Sequence, residues 1–250
     1  MCRWIQASKG LVGNNGCIPV SRRQDVVGSL PRTVRDAAYM LNTMAGRSEH
    51  DNMTWEIPFD LVPDFTAFCE KTDLKESRVG VPRNAFSTVA APIMEAFEKA
   101  LEILAGAGAQ IIDNTNFDSV VEFKKLDKPA KNFCITSEFK SDPNKYFESL
   151  QTNPHGILTV DDLIAFTKTF PQEEYPDRDI EKFLWTETEG ADIADPKYKM
   201  AMEGGFYFAG SGGILGTMEM FNLDVLVVPS TIEIPIFMQQ RWDFSSFLSH

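Results

Sequence analysis

The stretch "YFAGSGGILGTMEM", residues 207–220, sets four glycines around Ser211 and is the part of this chain that most resembles a reactive site. Two kinds of chemistry use such a cluster: a serine nucleophile on a tight turn, or a glycine loop whose backbone N–H groups cradle a phosphate. A nucleophile elbow reads GxSxG directly after a strand, whereas "AGSGG" lies inside a helical pattern and has its strand afterwards. A serine hydrolase built on Ser211 would further depend on His155 as its base. A P-loop needs a lysine beside its glycines, and none follows Lys199. Gly210, Gly212 and Gly216 space as GxGxxxG, one residue off the dinucleotide pattern. The favoured reading is structural: a helix slimmed by Gly and Ser, with Ser211 facing a packed neighbour. Close contact there offsets the roughly 0.5–1 kcal/mol that a helical Gly costs relative to Ala.

Metal chemistry fares no better. Asp177, Asp179 and Glu181 alternate as in a calcium loop, but Lys182 stands where that loop needs Gly and Thr188 where it needs Glu. The acidic segment 173–195 therefore reads as a solvated face or loop. Cys2, Cys17, Cys69 and Cys134 form no CxxC pair, and only His50, His155 and His250 could add imidazoles. No metal site, no disulfide framework and no cofactor are expected, and the thiols fit a reducing, cytoplasmic setting. The formal net charge of −12, with no basic run longer than a dipeptide, argues against a nucleic-acid partner. The opening "MCRWIQASKG" lacks a signal peptide's apolar core, and nowhere do eighteen apolar residues run together, so no membrane association is expected.

The elements that would position any site can be read from pattern. "RTVRDAAYMLNTMAG" predicts a helix, with Thr33 and Asp36 as a capping box and Gly46 as its stop. "RVGVP" at 78–82, "PIMEAFEKALEILAGAG" and "AQIID" predict strand, helix and strand, hence a parallel crossover, with Ile93, Phe97, Leu101 and Leu104 on one helical face. "GVPRNAF" lacks GxGxxG, so this unit reads as scaffold. Asp142 is expected to cap a short helix opening at Pro143, and Thr159 with Asp162 to box another that Pro171 closes. Asp195 and Pro196 open a long helix carrying Tyr207, Ser211, Ile214, Met218 and Phe221 on one stripe, and "LDVLVVP" follows as a buried strand.

Residues 10–46, "GLVGNNGCIPVSRRQDVVGSLPRTVRDAAYMLNTMAG", resemble the segment after the catalytic core of amidase signature enzymes, where a GLVS-like turn, IP(I/V)S, (Q/L)DxxGP and RTVxDAA recur. The resemblance continues collinearly through "SRVGVPR", "APIMEAFEKALEILAGAGAQIID", "EFKSDPNKYFESL" and "TVDDLIAF", the last two like the variable region of fungal-type members, to "LDVLVVPS". It implies an α/β fold, a mixed β-sheet flanked by helices, with residues 1–250 forming one partial amidase signature domain and 233–250 an atypical tail. It also implies amide-bond hydrolysis of a small molecule by a Ser, cis-Ser, Lys triad with a Gly/Ser-rich oxyanion loop. Those groups are expected upstream of Met1, so no catalytic residue is assigned within this chain. Ser29 stands where the family has Pro, with Pro31 displaced towards Arg32. Asp25 and Arg32 are the matched positions with useful polar chemistry: Asp25 as a turn former near the family's active site, Arg32 as its ion-pair partner.

Three functions remain open on sequence alone. The chain is expected to be part of a fungal-type amidase signature hydrolase, inactive by itself. Alternatively it is a catalytically dead binding or regulatory protein, forming a homo-oligomer or pairing with a full-length homologue. The last is an independent hydrolase using Ser211.

Overall fold

The computed structural model describes residues 5–70, 73–86 and 89–229. The expected tail at 233–250 lies outside the described residues. At the N-terminal side, β1 (Ile5–Gln6) pairs antiparallel with β2 (Gly28–Ser29). Helix α1 (Val34–Met44) follows and opens as its sequence predicts: the Asp36 N–H donates to Thr33 Oγ1 at 3.0 Å and the Thr33 N–H donates to the Asp36 carboxylate at 3.2 Å. Each bond satisfies an amide that the first turn leaves without a helical partner. Gly46, at φ +144°, ends the helix and donates its N–H to the Leu11 carbonyl at 3.0 Å. Ala7, Leu11, Val12 and Leu41 form the local core beneath it.

The central layer is β3 (Arg78–Val81), α2 (Ala91–Gly106) and β4 (Gln110–Asp113), with β3 and β4 parallel and Val79 opposite Ile111. Phe97 and Leu101 are buried against Val81, Phe86 and Phe117, and Leu104 packs beside them. Ile93, expected on the same face, is exposed, and its neighbour Met94 packs against the cluster instead. Arg83 ties the layer together by pairing with Glu98 of α2 and with Asp113 of β4, at 2.6 Å in the second case. Hydrogen bonding from the guanidinium holds the Asp113 carboxyl below its ordinary range.

A helical layer completes the fold. Short α3 (Val120–Lys125) leads into α4 (Lys128–Ser149), whose start is capped by the Asp127 side chain accepting from Ala130 N–H at 2.8 Å. Here the expectation of a short helix opening at Pro143 is corrected: Pro143 lies inside a 22-residue helix, and Asp142 does not cap but turns to Arg22. The boxed helix α5 (Val160–Thr169) forms as expected, Thr159 and Asp162 exchanging bonds, before a 3-10 turn at Pro171–Glu173. Part of the acidic segment winds into α6 (Glu181–Glu189), which packs on α4 through stacked Phe139 and Phe183.

The long helix expected from Asp195 is two. Asp195 caps α7 (Pro196–Ala209) by accepting from Lys197 N–H at 2.8 Å, and α8 (Ile214–Phe221) begins after a break over 210–213. Consecutive glycines impose little helical preference, and at the break the Gly212 carbonyl turns aside to take the Ser119 N–H at 2.9 Å. Finally β5 (Val225–Leu226) runs parallel to β3, giving the order β4-β3-β5. It is shorter than expected and is not buried: Val225 is 43% exposed on the sheet edge. Gly80 of β3 allows this strand's approach, since a Cβ there would lie 2.4 Å from Leu223 and 2.8 Å from Leu226. The α/β class thus holds, with helices around a three-stranded parallel sheet and a separate antiparallel ribbon. No helix among the described residues is long and apolar enough to cross a membrane.

Candidate functional site

The polar residues of "SRRQD", 21–25, converge on one place. Asp25 closes the turn that precedes it: its carboxylate accepts from the N–H groups of Val20 at 2.8 Å and Ser21 at 2.9 Å. Its carbonyl accepts from Lys9 Nζ at 2.8 Å and from Asn14 Nδ2. Arg32 takes no part: among the described residues the expected pair with Asp25 does not form, two backbone amides taking one carboxylate oxygen while Arg32 is exposed beyond β2. Lys9, which no sequence pattern singled out, is half-buried. Burial pushes its ammonium below the ordinary value, against the attraction of Asp51, Asp25 and Asp142.

From the same turn, three consecutive side chains reach across to α4 and α7. Glu138 of α4 is fully buried and accepts from the Ser21 hydroxyl, Arg23 Nε and the Tyr198 hydroxyl. One turn on, Asp142 accepts from Arg22 N–H at 2.7 Å and from Arg22 Nε at 2.6 Å. Burial, then the bond to Glu138, pushes the Tyr198 phenol up to about 12, so it is a neutral donor across the physiological range. Ser21 beside a carboxylate superficially looks like an activated nucleophile. Its hydroxyl is 0% exposed and already donates to Glu138, so no substrate can meet it. The arrangement locks the loop carrying Asp25 onto the helical layer. One local signal could have found it: Glu138 and Asp142 stand four residues apart and share a helix face, provided 128–149 is read as a single helix.

Ser211 occupies the break between α7 and α8, is exposed, and its side chain makes no hydrogen bond. The expectation that it faces a packed neighbour is corrected; the close packing belongs to Gly212. That carbonyl also takes the Ser119 hydroxyl at 2.7 Å, and a Cβ on Gly212 would lie 2.8 Å from the Tyr207 ring and 2.9 Å from Ser119 Cβ. His155, the base a Ser211 hydrolase would require, packs instead against Phe166 and Phe170, with ring centroids at 4.7 and 5.4 Å. The structure does not bring these two residues into one constellation. Among the described residues no cluster of three or more His, Cys, Asp or Glu side chains is arranged to hold a metal ion.

Comparison with known proteins places this geometry. The family described as Amidase matches residues 5–243. A protein named as an amidase in Arthroderma benhamiae is 35% identical over 230 residues, which is 91% of this chain and 38% of that protein. The peptide amidase of Stenotrophomonas maltophilia superposes with a TM-score of 0.77 at 24% identity, over 95% of this chain and 50% of its own. An amidase family protein of Bacillus anthracis gives a TM-score of 0.74 at 21% identity, over 95% of this chain and 44% of its own. The chain therefore spans half or less of the length of each of these proteins. With nearly its whole length matched by the family and the same fold recurring in both solved structures, the chain belongs to the amidase family.

Proposed function

We propose that this chain is the framing part of an amidase signature hydrolase. In the complete fold it would hold one side of a site where the amide C–N bond of a small molecule is cleaved, while the Ser, cis-Ser, Lys triad and oxyanion loop come from chain it does not contain. One observation carries the reading: the family match covers residues 5–243, yet the same chain accounts for only 38% of the Arthroderma relative. The polar groups agree with it. The Asp25 and Glu138 carboxylates take internal donors, and among the described residues Ser211 stands exposed with no base bonded to it. Amide hydrolysis needs an activated nucleophile and preorganised donors for the oxyanion, and neither is offered by that arrangement.

Purified 1–250 is expected neither to label with a fluorophosphonate probe nor to release amine from a panel of aliphatic and aryl amides. Labelling of any serine, or turnover that Ser211→Ala abolishes, would sink this reading. A second reading, a binding or regulatory protein in the cytoplasm that associates with itself or a full-length homologue, draws on exposed Leu30 (72%), Leu61 (85%) and Phe68 (72%). Co-purification with one discrete partner would favour it, and persistent aggregation of the purified chain would count against it.

A further inference from the structure

We propose that the cleft between α3, the first turns of α4 and α7 binds an apolar monocarboxylate. This inference is independent of the amidase reading. The cleft encloses about 420 Å³, within the range of small-molecule sites, and Phe123, Leu126, Phe133 and Phe208 form its walls. Phe123 and Phe208 meet edge to face with centroids 5.5 Å apart, which fixes both rings. On the α7 side Gly204 stands in place of a side chain, and a Cβ there would meet nothing within 4 Å. This glycine differs from Gly212, whose missing side chain makes room for a neighbour; Gly204 leaves the cleft open.

Charge selects the ligand's head group. Lys197 lines the rim, and among the described residues its ammonium takes part in no ion pair or hydrogen bond. Lys131 sits over the Phe123 ring, 5.1 Å from its centroid, and is likewise in no ion pair among the described residues. No acidic residue lines the cleft, although the chain carries 36 acidic residues against 24 Lys and Arg. The nearest carboxylates, Asp127 and Asp195, are engaged in capping the N–H groups of Ala130 and Lys197, and two ammonium groups left unpaired among the described residues beside an aromatic cleft stabilise an anion and repel an amine. The body of the ligand must be apolar, because the walls offer almost nothing to hydrogen-bond. A carboxylate on an alkyl or aryl body meets both requirements.

Calorimetric titration of 1–250 with octanoate, and with octanamide as its uncharged counterpart, tests this. Octanoate is expected to bind one per chain and at least about tenfold tighter than octanamide, the scale of one charge-assisted contact. Lys197→Gln should bring octanoate down to the octanamide level. Gly204→Leu should abolish binding of both by filling the cleft while melting at the same or a higher temperature, since it removes a Gly from a helix interior. The proposal is overturned if octanamide binds as well as octanoate, which would indicate a plain apolar groove for a partner's side chain. It is equally overturned if Gly204→Leu still binds octanoate, or if the folded wild-type chain binds neither ligand.

Discussion

Replacing Glu138 by Ala should be among the most damaging single changes outside the apolar core. The carboxylate is fully buried and is the shared acceptor for Ser21, Arg23 and Tyr198. Its removal leaves the Arg23 guanidinium, whose side chain is only 18% exposed, without its counter-charge, and Arg23 Nη2 already has no hydrogen-bond partner among the described residues. It also leaves the Ser21 hydroxyl, at 0% exposure, with no acceptor. Breaking a buried pair by deleting one partner costs about 3–5 kcal/mol, a large share of the roughly 5–15 kcal/mol that holds a typical domain together. Urea unfolding followed by far-UV circular dichroism reads the loss as a lower midpoint at unchanged slope. Glu138→Leu combined with Arg23→Met should recover most of it, because the penalty lies in the uncompensated charge rather than in the contact itself. A Glu138→Ala variant within about 1 kcal/mol of wild type, or a double variant no better than the single one, would refute the buried-charge argument.

The other predictions probe the fold more locally. Gly80→Ala should cost about 1–3 kcal/mol by overpacking, since its new methyl would crowd Leu223, Leu226 and Thr115, and a melt at the wild-type temperature would contradict this. Ser211→Ala should leave the melting midpoint unchanged to within about 0.5 kcal/mol, as expected for an exposed side chain without a bond. Thr159→Ala should cost about 1 kcal/mol by removing one half of the α5 capping box, measurable by the same urea titration. Tyr198 has its folded-state pKa raised to about 12, so its contribution is complete below the unfolded value near 10 and is lost as pH climbs through the folded one. Wild-type stability should therefore fall across that alkaline window, and Tyr198→Phe should be less stable at neutral pH yet lack that part of the decline.

Features governed by contacts within one turn were legible in the sequence. The capping boxes at Thr33–Asp36 and Thr159–Asp162 each involve residues three apart, so their chemistry is written locally. The strand, helix, strand unit over 78–113 was legible because α2 has a sustained apolar stripe, of which Phe97, Leu101 and Leu104 reach the core, between two short apolar runs. Two helices were misjudged, for opposite reasons. Pro143 looked like a beginning because proline lacks the N–H that a helix interior uses, yet α4 runs through it, held by packing on α6 and α7. The glycines at 210–213 looked tolerable inside a helix, but there the Gly212 carbonyl bonds Ser119, and the chain breaks to allow it.

The polar hub was illegible for a different reason. Ser21 and Glu138 are 117 residues apart, and nothing in the local pattern of "SRRQD" announces which acid it will meet. The turn at Asp25 could be anticipated from residue type, whereas the assignment of its partner to Arg32 failed because sequence proximity stood in for geometry. The same substitution made Ser211 conspicuous: glycine neighbours are counted along the chain, while reactivity depends on a base delivered from elsewhere in the fold. In this chain the candidate base packs tilted against Phe166 and Phe170, and the buried serine is bound to a carboxylate that also holds an arginine. Residue types that suggest catalysis have thus been used for cohesion. Lys197 at the rim of the apolar cleft and Lys131 over its Phe123 wall are in no ion pair among the described residues, and that juxtaposition of charge with an aromatic cleft is where ligand chemistry should be sought.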